Sequence, residues 1–408
     1  MEENELIPHL FRTEYQKIIA VLCKHFGFAH MSVAEDIASD TFLTATETWG
    51  LKGLPENPVA WLYTVAKNKA KNHLKHEAVQ QKNARLLNNP EKEITDSDLD
   101  LSDENIRDSQ LQMMFAVCHP AIVAESQIGL ALRILCGFGI EEIADAFLTN
   151  KETINKRLFR AKEKLREENI VIAFPGKAEI SNRLEIVLRT LYLLFNEGYY
   201  SASQNTVLRQ DLCQEAMRLN LLLMDNPGTN LPPVNALFSL MCFQASRFEA
   251  RTDASGEIVL YDDQDTSLWN RKLILQGEYY LNIASQGNTL SRYHLEAGIA
   301  YWHTVKEDTP EKWNQILDLY NHLLQLEYSP MAALNRTFAL SKAYGKAEAI
   351  AAAEQLNLGS HHLYHSLLGE LYTGVNNKTA REHFEKALHM AKSGSDQKVI
   401  SRKIQALG

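Results

Sequence analysis

Apolar residues recur along this chain at spacings of three and four, and the Val/Ile/Thr alternation that builds a strand is nearly absent. That pattern restricts the fold to helices packed on helices, an all-α class. Ile154, Leu158, Ala161 and Leu165 show it clearly, falling on one stripe of a helix. The chain has 408 residues, 45% of them hydrophobic and 23% charged, which is ordinary globular composition. That length holds roughly two to four domains. Five cysteines stand apart with no CxxC pair, an odd number that argues against a disulfide framework and for a reducing cytoplasm. The N-terminus is acidic where a signal peptide is basic. No uninterrupted apolar run reaches the ~20 residues a bilayer span needs, so no membrane contact is expected.

The net charge of −9 speaks against nucleic acid only until the charges are located. Residues 61–85 carry net +5 and residues 151–168 net +3, while residues 86–108 between them carry net −6 with few large apolar side chains. The acidic block reads as a solvated linker. Phe174-Pro175-Gly176-Lys177 is a turn signal after a long basic helix, and Asp253 to Asp265 reads as a loop. The expected organisation is therefore a helical domain at 1–85, a linker at 86–108, a second helical domain at 109–170, and a larger helical region at 175–408.

In the second domain, Gly139 to Phe147 forms a short amphipathic helix, Leu148-Thr149-Asn150 a turn, and Lys151 to Arg166 a second helix. A helix-turn-helix of this shape places the polar N-terminal half of its second helix in a major groove. Thr153, Asn155, Lys156, Arg157 and Arg160 lie on or beside the outward face, together with Glu152, Phe159 and Glu163. Arg and Asn can read base edges through paired hydrogen bonds, and Lys mainly meets phosphate.

The first domain offers two helices of different character. Ala34 to Trp49 buries one side and shows Asp36, Asp40, Leu43 and Glu47 on the other, an exposed leucine among carboxylates that reads as a protein-docking face. Gly50 to Pro58, with two glycines and two prolines, reads as a loop. Trp61 to about His76 then presents Lys67, Asn68, Lys71 and Lys75 beside aromatic Trp61, a combination suited to a DNA strand whose backbone needs neutralising and whose bases stack.

Three segments together carry a resemblance: Ala34-Glu-Asp-Ile-Ala-Ser-Asp-Thr-Phe-Leu43, Trp61-Leu-Tyr-Thr-Val-Ala-Lys-Asn-Lys-Ala70, and Gly139-Ile-Glu-Glu-Ile-Ala144 with Thr153-Ile-Asn-Lys-Arg-Leu-Phe-Arg-Ala-Lys162. In this order and spacing, over about residues 8–168, they resemble the extracytoplasmic-function (ECF) sigma factors of the sigma-70 family. The resemblance implies that Asp36, Asp40, Leu43 and Glu47 dock on core RNA polymerase. It implies that Trp61, Lys67, Asn68, Lys71 and Lys75, with the Gly50–Pro58 loop, hold the opened minus-10 strand of promoter DNA. It implies that Thr153, Asn155, Lys156, Arg157 and Arg160 read the minus-35 duplex, and that the acidic linker mimics RNA in the polymerase channel. The helix start Glu152-Thr-Ile-Asn-Lys-Arg departs from the family's frequent Gly-Thr-Val-Lys-Ser-Arg, so base preference does not carry over.

The remaining half resembles a subgroup with a large helical extension, through Leu191 to Tyr200 and Asp211 to Leu219. Near 364–391, Gly369, Tyr372, Ala380, Phe384 and Ala387 follow a tetratricopeptide-like pattern, and such stacks present a groove to a regulatory protein or peptide. No cofactor, metal or catalytic residue is expected. His361, His362 and His365 read as helix-surface histidines, Asp262, Asp263 and Asp265 as a helix-start run, and Gly198 as a helix stop. Two rivals to the sigma factor stay open: a conventional helix-turn-helix regulator with a helical sensor, and an enzyme housed in 175–408.

Overall fold

A computed structural model describes residues 3–84, 99–147, 149–199, 209–253, 259–391 and 394–407. Among the described residues there are eighteen α-helices and no sheet, as the periodicity predicts. The chain divides into two compact units, Met1–Leu193 and Leu194–Gly408. No helix of the described residues is long and apolar enough to cross a membrane. The five cysteines stand as free thiols.

The first unit begins with α1 (Glu3–Phe26), α2 (Met31–Lys52) and α3 (Pro58–Ala84). α1 packs on α2, and the stripe Ala34, Ala38, Phe42 and Ala45 is fully or nearly fully buried. Phe11 meets the Phe42 ring edge-on at 5.1 Å. α4 (Asp103–Val117) lies against α1, followed by α5 (Ala124–Leu130), a π-helical turn at Ala131–Leu135, α6 (Ile140–Ala146) and α7 (Lys151–Glu167). α8 (Ile180–Tyr199) contains the division between the units.

Two boundaries differ from the sequence expectation, each for a local reason. α2 runs through Gly50 and ends at Gly53, whose φ of 79° is open to glycine at little cost, with its N–H bonded to Trp49 O at 3.0 Å. The expected Gly50–Pro58 loop is thus residues 53–57, and Pro58 begins the next helix. α4 likewise starts inside the stretch read as linker: Ser102 caps it by accepting from Asn105 N–H, and Asp103 and Glu104 sit in its first turn, where the helix dipole favours acids. Residues 86–98 of that stretch and Leu148 of the expected turn lie outside the described residues.

The second unit continues with α9 (Gln210–Asp225), α10 (Pro232–Ala245), α11 (Arg271–Ala284) and α12 (Arg292–Trp302). α10 is its centre, packed against α9, α11 and α12, with Leu237, Phe238, Met241 and Phe243 buried. There follow α13 (Pro310–Leu326), α14 (Pro330–Tyr344), α15 (Lys346–Glu354), α16 (His362–Tyr372), α17 (Asn377–Met390) and α18 (Gly394–Ala406), each packed on the next. Prolines open α10, α13 and α14 at positions where a missing N–H costs nothing.

Two smaller expectations are corrected here. Gly198 does not stop a helix, because α8 continues to Tyr199. A Cβ at Gly198 would lie 2.6 Å from Arg209 O and 2.8 Å from Cys213 Sγ, so the glycine lets α9 approach. His365 is not a surface residue: it is 7% exposed, with Nε2 3.0 Å from Gly359 O and Nδ1 3.0 Å from His383 Nδ1. His361 caps α16, and Asp265 accepts from Ser267 N–H in a short turn at Thr266–Leu268.

Candidate nucleic-acid interface

α7 is built to show one face. Asn150 caps it, its side chain accepting from Thr153 N–H at 2.8 Å, and Ile154, Leu158, Ala161 and Leu165 are buried. α6 and the turn leading to Asn150 bring α7 against α5 and α6. Asn155, Lys156 and Arg160 project into solvent, while Thr153 and Arg157 are half-buried. The Arg157 guanidinium lies over the Phe147 ring, 5.3 Å from its centroid, which orients the side chain. Phe159 is 64% exposed on the same helix. It was legible as an apolar residue three positions beyond Lys156 on a polar face, yet lies outside the expected contact set. Glu163 is turned to Arg166 at 2.7 Å, leaving Glu152 as the acid near the helix start.

α3 carries the second basic face. Asn57 caps it by accepting from Ala60 N–H at 3.0 Å, and Leu62, Ala66 and Ala70 are buried. Asn68 and Lys75 are exposed, and Lys67 and Lys71 half-buried. Trp61 packs edge-on against Trp49 with ring centroids 5.3 Å apart, which fixes the indole beside the 53–57 turn. Beneath α3 the Tyr63 hydroxyl donates to Glu14 Oε2 at 2.5 Å. Burial first, and then this carboxylate, push the phenol above its ordinary range, so it stays a donor.

α2 presents Asp36, Asp40, Leu43 and Glu47 outward, with Leu43 56% exposed. The four expected docking residues thus share one open face. The sequence missed two ion pairs on this helix that only tertiary structure creates. Lys69 of α3 engages Asp40, and Lys162 of α7 reaches Glu35 at 3.1 Å. Together the two pairs tie both basic elements of the unit to α2. Nearby, burial pushes the Cys23 thiol up to about 12, with Glu35 adding to the shift, so it is an inert core residue.

These faces combine exposed cations, amides and aromatic rings, the groups with which proteins in general meet a polyanion and its bases. Among the described residues no group of three His, Cys, Asp or Glu side chains is placed to hold a metal ion.

Comparison with known proteins agrees with this geometry. Sigma-70 region 2 matches residues 10–79, which cover α2 and most of α1 and α3. A family of unknown function, DUF6596, matches residues 183–285. An uncharacterized protein of Rhizobium meliloti (strain 1021) is 32% identical over 390 residues, covering 93% of this chain and 91% of its own. No solved structure matches. The chain belongs to the family of that relative, and its N-terminal domain matches sigma-70 region 2, which supports a sigma factor of the sigma-70 family.

Proposed function

We propose that the chain is an ECF-type sigma factor whose C-terminal helical region regulates it. In this reading the Asp36/Asp40/Leu43/Glu47 face of α2 docks on core RNA polymerase. Trp61, Lys67, Asn68, Lys71 and Lys75 hold the opened minus-10 strand. The α6–α7 pair acts as a helix-turn-helix, with Thr153, Asn155, Lys156, Arg157 and Arg160 on the minus-35 duplex. The observation that carries the reading is the exposed Asn155/Lys156/Arg160 face following, in the same unit, a basic α3 matched by sigma-70 region 2. The tetratricopeptide-like character of 364–391 is supported by the close packing of α16 on α17, where Gly369 faces the Phe384 ring. Such a stack suits a regulatory protein or peptide.

The reading predicts promoter-dependent transcripts when the purified chain is added to core polymerase with DNA of its own genome. Saturating protein that yields none would sink it. Replacing Lys67 and Lys71 by Ala is expected to reduce strand opening, read by permanganate reactivity, about tenfold or more. Affinity for upstream duplex should change less. Equal losses in both would instead favour a conventional helix-turn-helix regulator.

A further inference from the structure

In the second unit, three cations crowd one aromatic ring. Around the Tyr261 ring centroid lie Lys306 Nζ at 4.9 Å, Lys312 Nζ at 5.3 Å and Arg247 Cζ at 5.6 Å. No two of them can therefore be more than about 11 Å apart, well inside the range of mutual repulsion in a partly buried site.

Their hydrogen-bond partners are neutral, although burial, which pushes the Lys312 ammonium pKa down, is opposed at longer range by Asp308, Asp262 and Glu307. Lys312, 1% exposed, donates to Val305 O and to the Tyr261 hydroxyl at 3.1 Å. Lys306 donates to Tyr261 O at 2.8 Å and Asp262 O at 3.0 Å. Arg247 donates through Nη2 to the Tyr199 hydroxyl at 3.2 Å, and its Nε is buried with no hydrogen-bond partner. The carboxylates nearby are Asp262, Glu307 and Asp308, all exposed, and Asp308 is taken by Lys342 and Trp313. Among the described residues none of them forms an ion pair with the three cations. The positive potential registers on His303, whose ring lies 5.3 Å from that of Tyr261. Burial, with Arg247 and Lys312 adding to it, pushes its pKa down to about 3.

Cations gathered without an ion-paired carboxylate lack the close compensation that partly buried charges ordinarily have. An anion with several acceptor oxygens supplies it, and a planar guanidinium beside ammonium groups matches a phosphoryl group in both charge and donor number. We propose that the Arg247/Lys306/Lys312 cluster around Tyr261 binds a small phosphorylated anion. A long polyanion fits poorly, because Asp262, Asp263 and Glu307 flank the cluster as exposed carboxylates. The site lies wholly in the second unit.

Calorimetric titration of the full-length chain with inorganic phosphate and pyrophosphate, at ionic strength held constant with chloride, tests the assignment. The expected result is saturable binding of one anion per chain. Arg247→Gln is expected to weaken it at least tenfold, and Lys378→Gln, at an exposed lysine of α17, to leave it unchanged. Should Arg247→Gln fail to fold, Arg247→Lys keeps the charge but loses the guanidinium fork and is expected to bind several-fold more weakly. Absence of saturable binding below about 1 mM overturns the proposal, as does Arg247→Lys binding at full strength. A single-stranded oligonucleotide that displaces phosphate from the site would also overturn it, in favour of nucleic acid.

Discussion

A methyl group added at Gly369 would lie 2.7 Å from the Phe384 ring, a distance that side chains do not tolerate. Phe384 is buried, so the ring has little room to retreat. Gly369→Ala is therefore expected to destabilise the α16–α17 pair by about 1–3 kcal/mol, measured as a lower urea midpoint with unchanged slope. A midpoint at or above wild type would show that the two helices separate freely. At this scale the sequence was partly legible. Gly369 and Phe384 belonged to a recognisable repeat pattern, but a histidine gives no sign in sequence of whether it will be buried, as His365 is. Asp40 and Lys69 lie 29 positions apart, and Glu35 and Lys162 lie 127 apart. Pairings across such separations depend on the tertiary fold, which local spacing does not encode.

Among the elements, α7 is the one whose limits the sequence states most fully: a capping Asn, an apolar stripe and a basic last turn agree. Removing the cap tests how much of the proposed duplex-reading face depends on it. Asn150→Ala leaves Thr153 N–H without its side-chain acceptor and is expected to cost about 1 kcal/mol. The first turn carries Glu152 and Thr153, so fraying there should weaken upstream-duplex affinity several-fold, measured by fluorescence anisotropy. Unchanged affinity would place the reading surface further along the helix. α2 and α4 were less legible because single-residue signals compete with packing. Glycine costs a helix roughly 1 kcal/mol, yet the buried Trp49 beside Gly50 holds the helix beyond it. The acids at 103 and 104 looked like solvated linker by composition, but at a helix start the same charges are favourable.

For the whole molecule, the all-helical class and the succession of basic, acidic and basic segments could be read directly, since both follow from residue spacing and local charge. The division into units could not. The expected extension begins at residue 175, whereas the units divide between Leu193 and Leu194, inside α8. Arg183, near the start of that helix, donates from Nη2 to Phe115 O of α4, and Phe174 packs edge-on to Phe115 at 5.3 Å. Truncation after 174 is expected to yield a less stable protein than truncation after 193, with thermal midpoints separated by several degrees. Equal midpoints would show that the first turns of α8 contribute nothing to the first unit.

The placement of that division also bears on how such chains can be recombined. A gene segment joined at the composition break near 175 would carry away a helix whose Arg183 bonds the Phe115 carbonyl of the N-terminal unit. The extension is then not a cassette that can be moved whole at its apparent seam. A viable exchange must keep residues 175–193 with the sigma-type half, so the two halves of the gene share a stretch that neither can change alone.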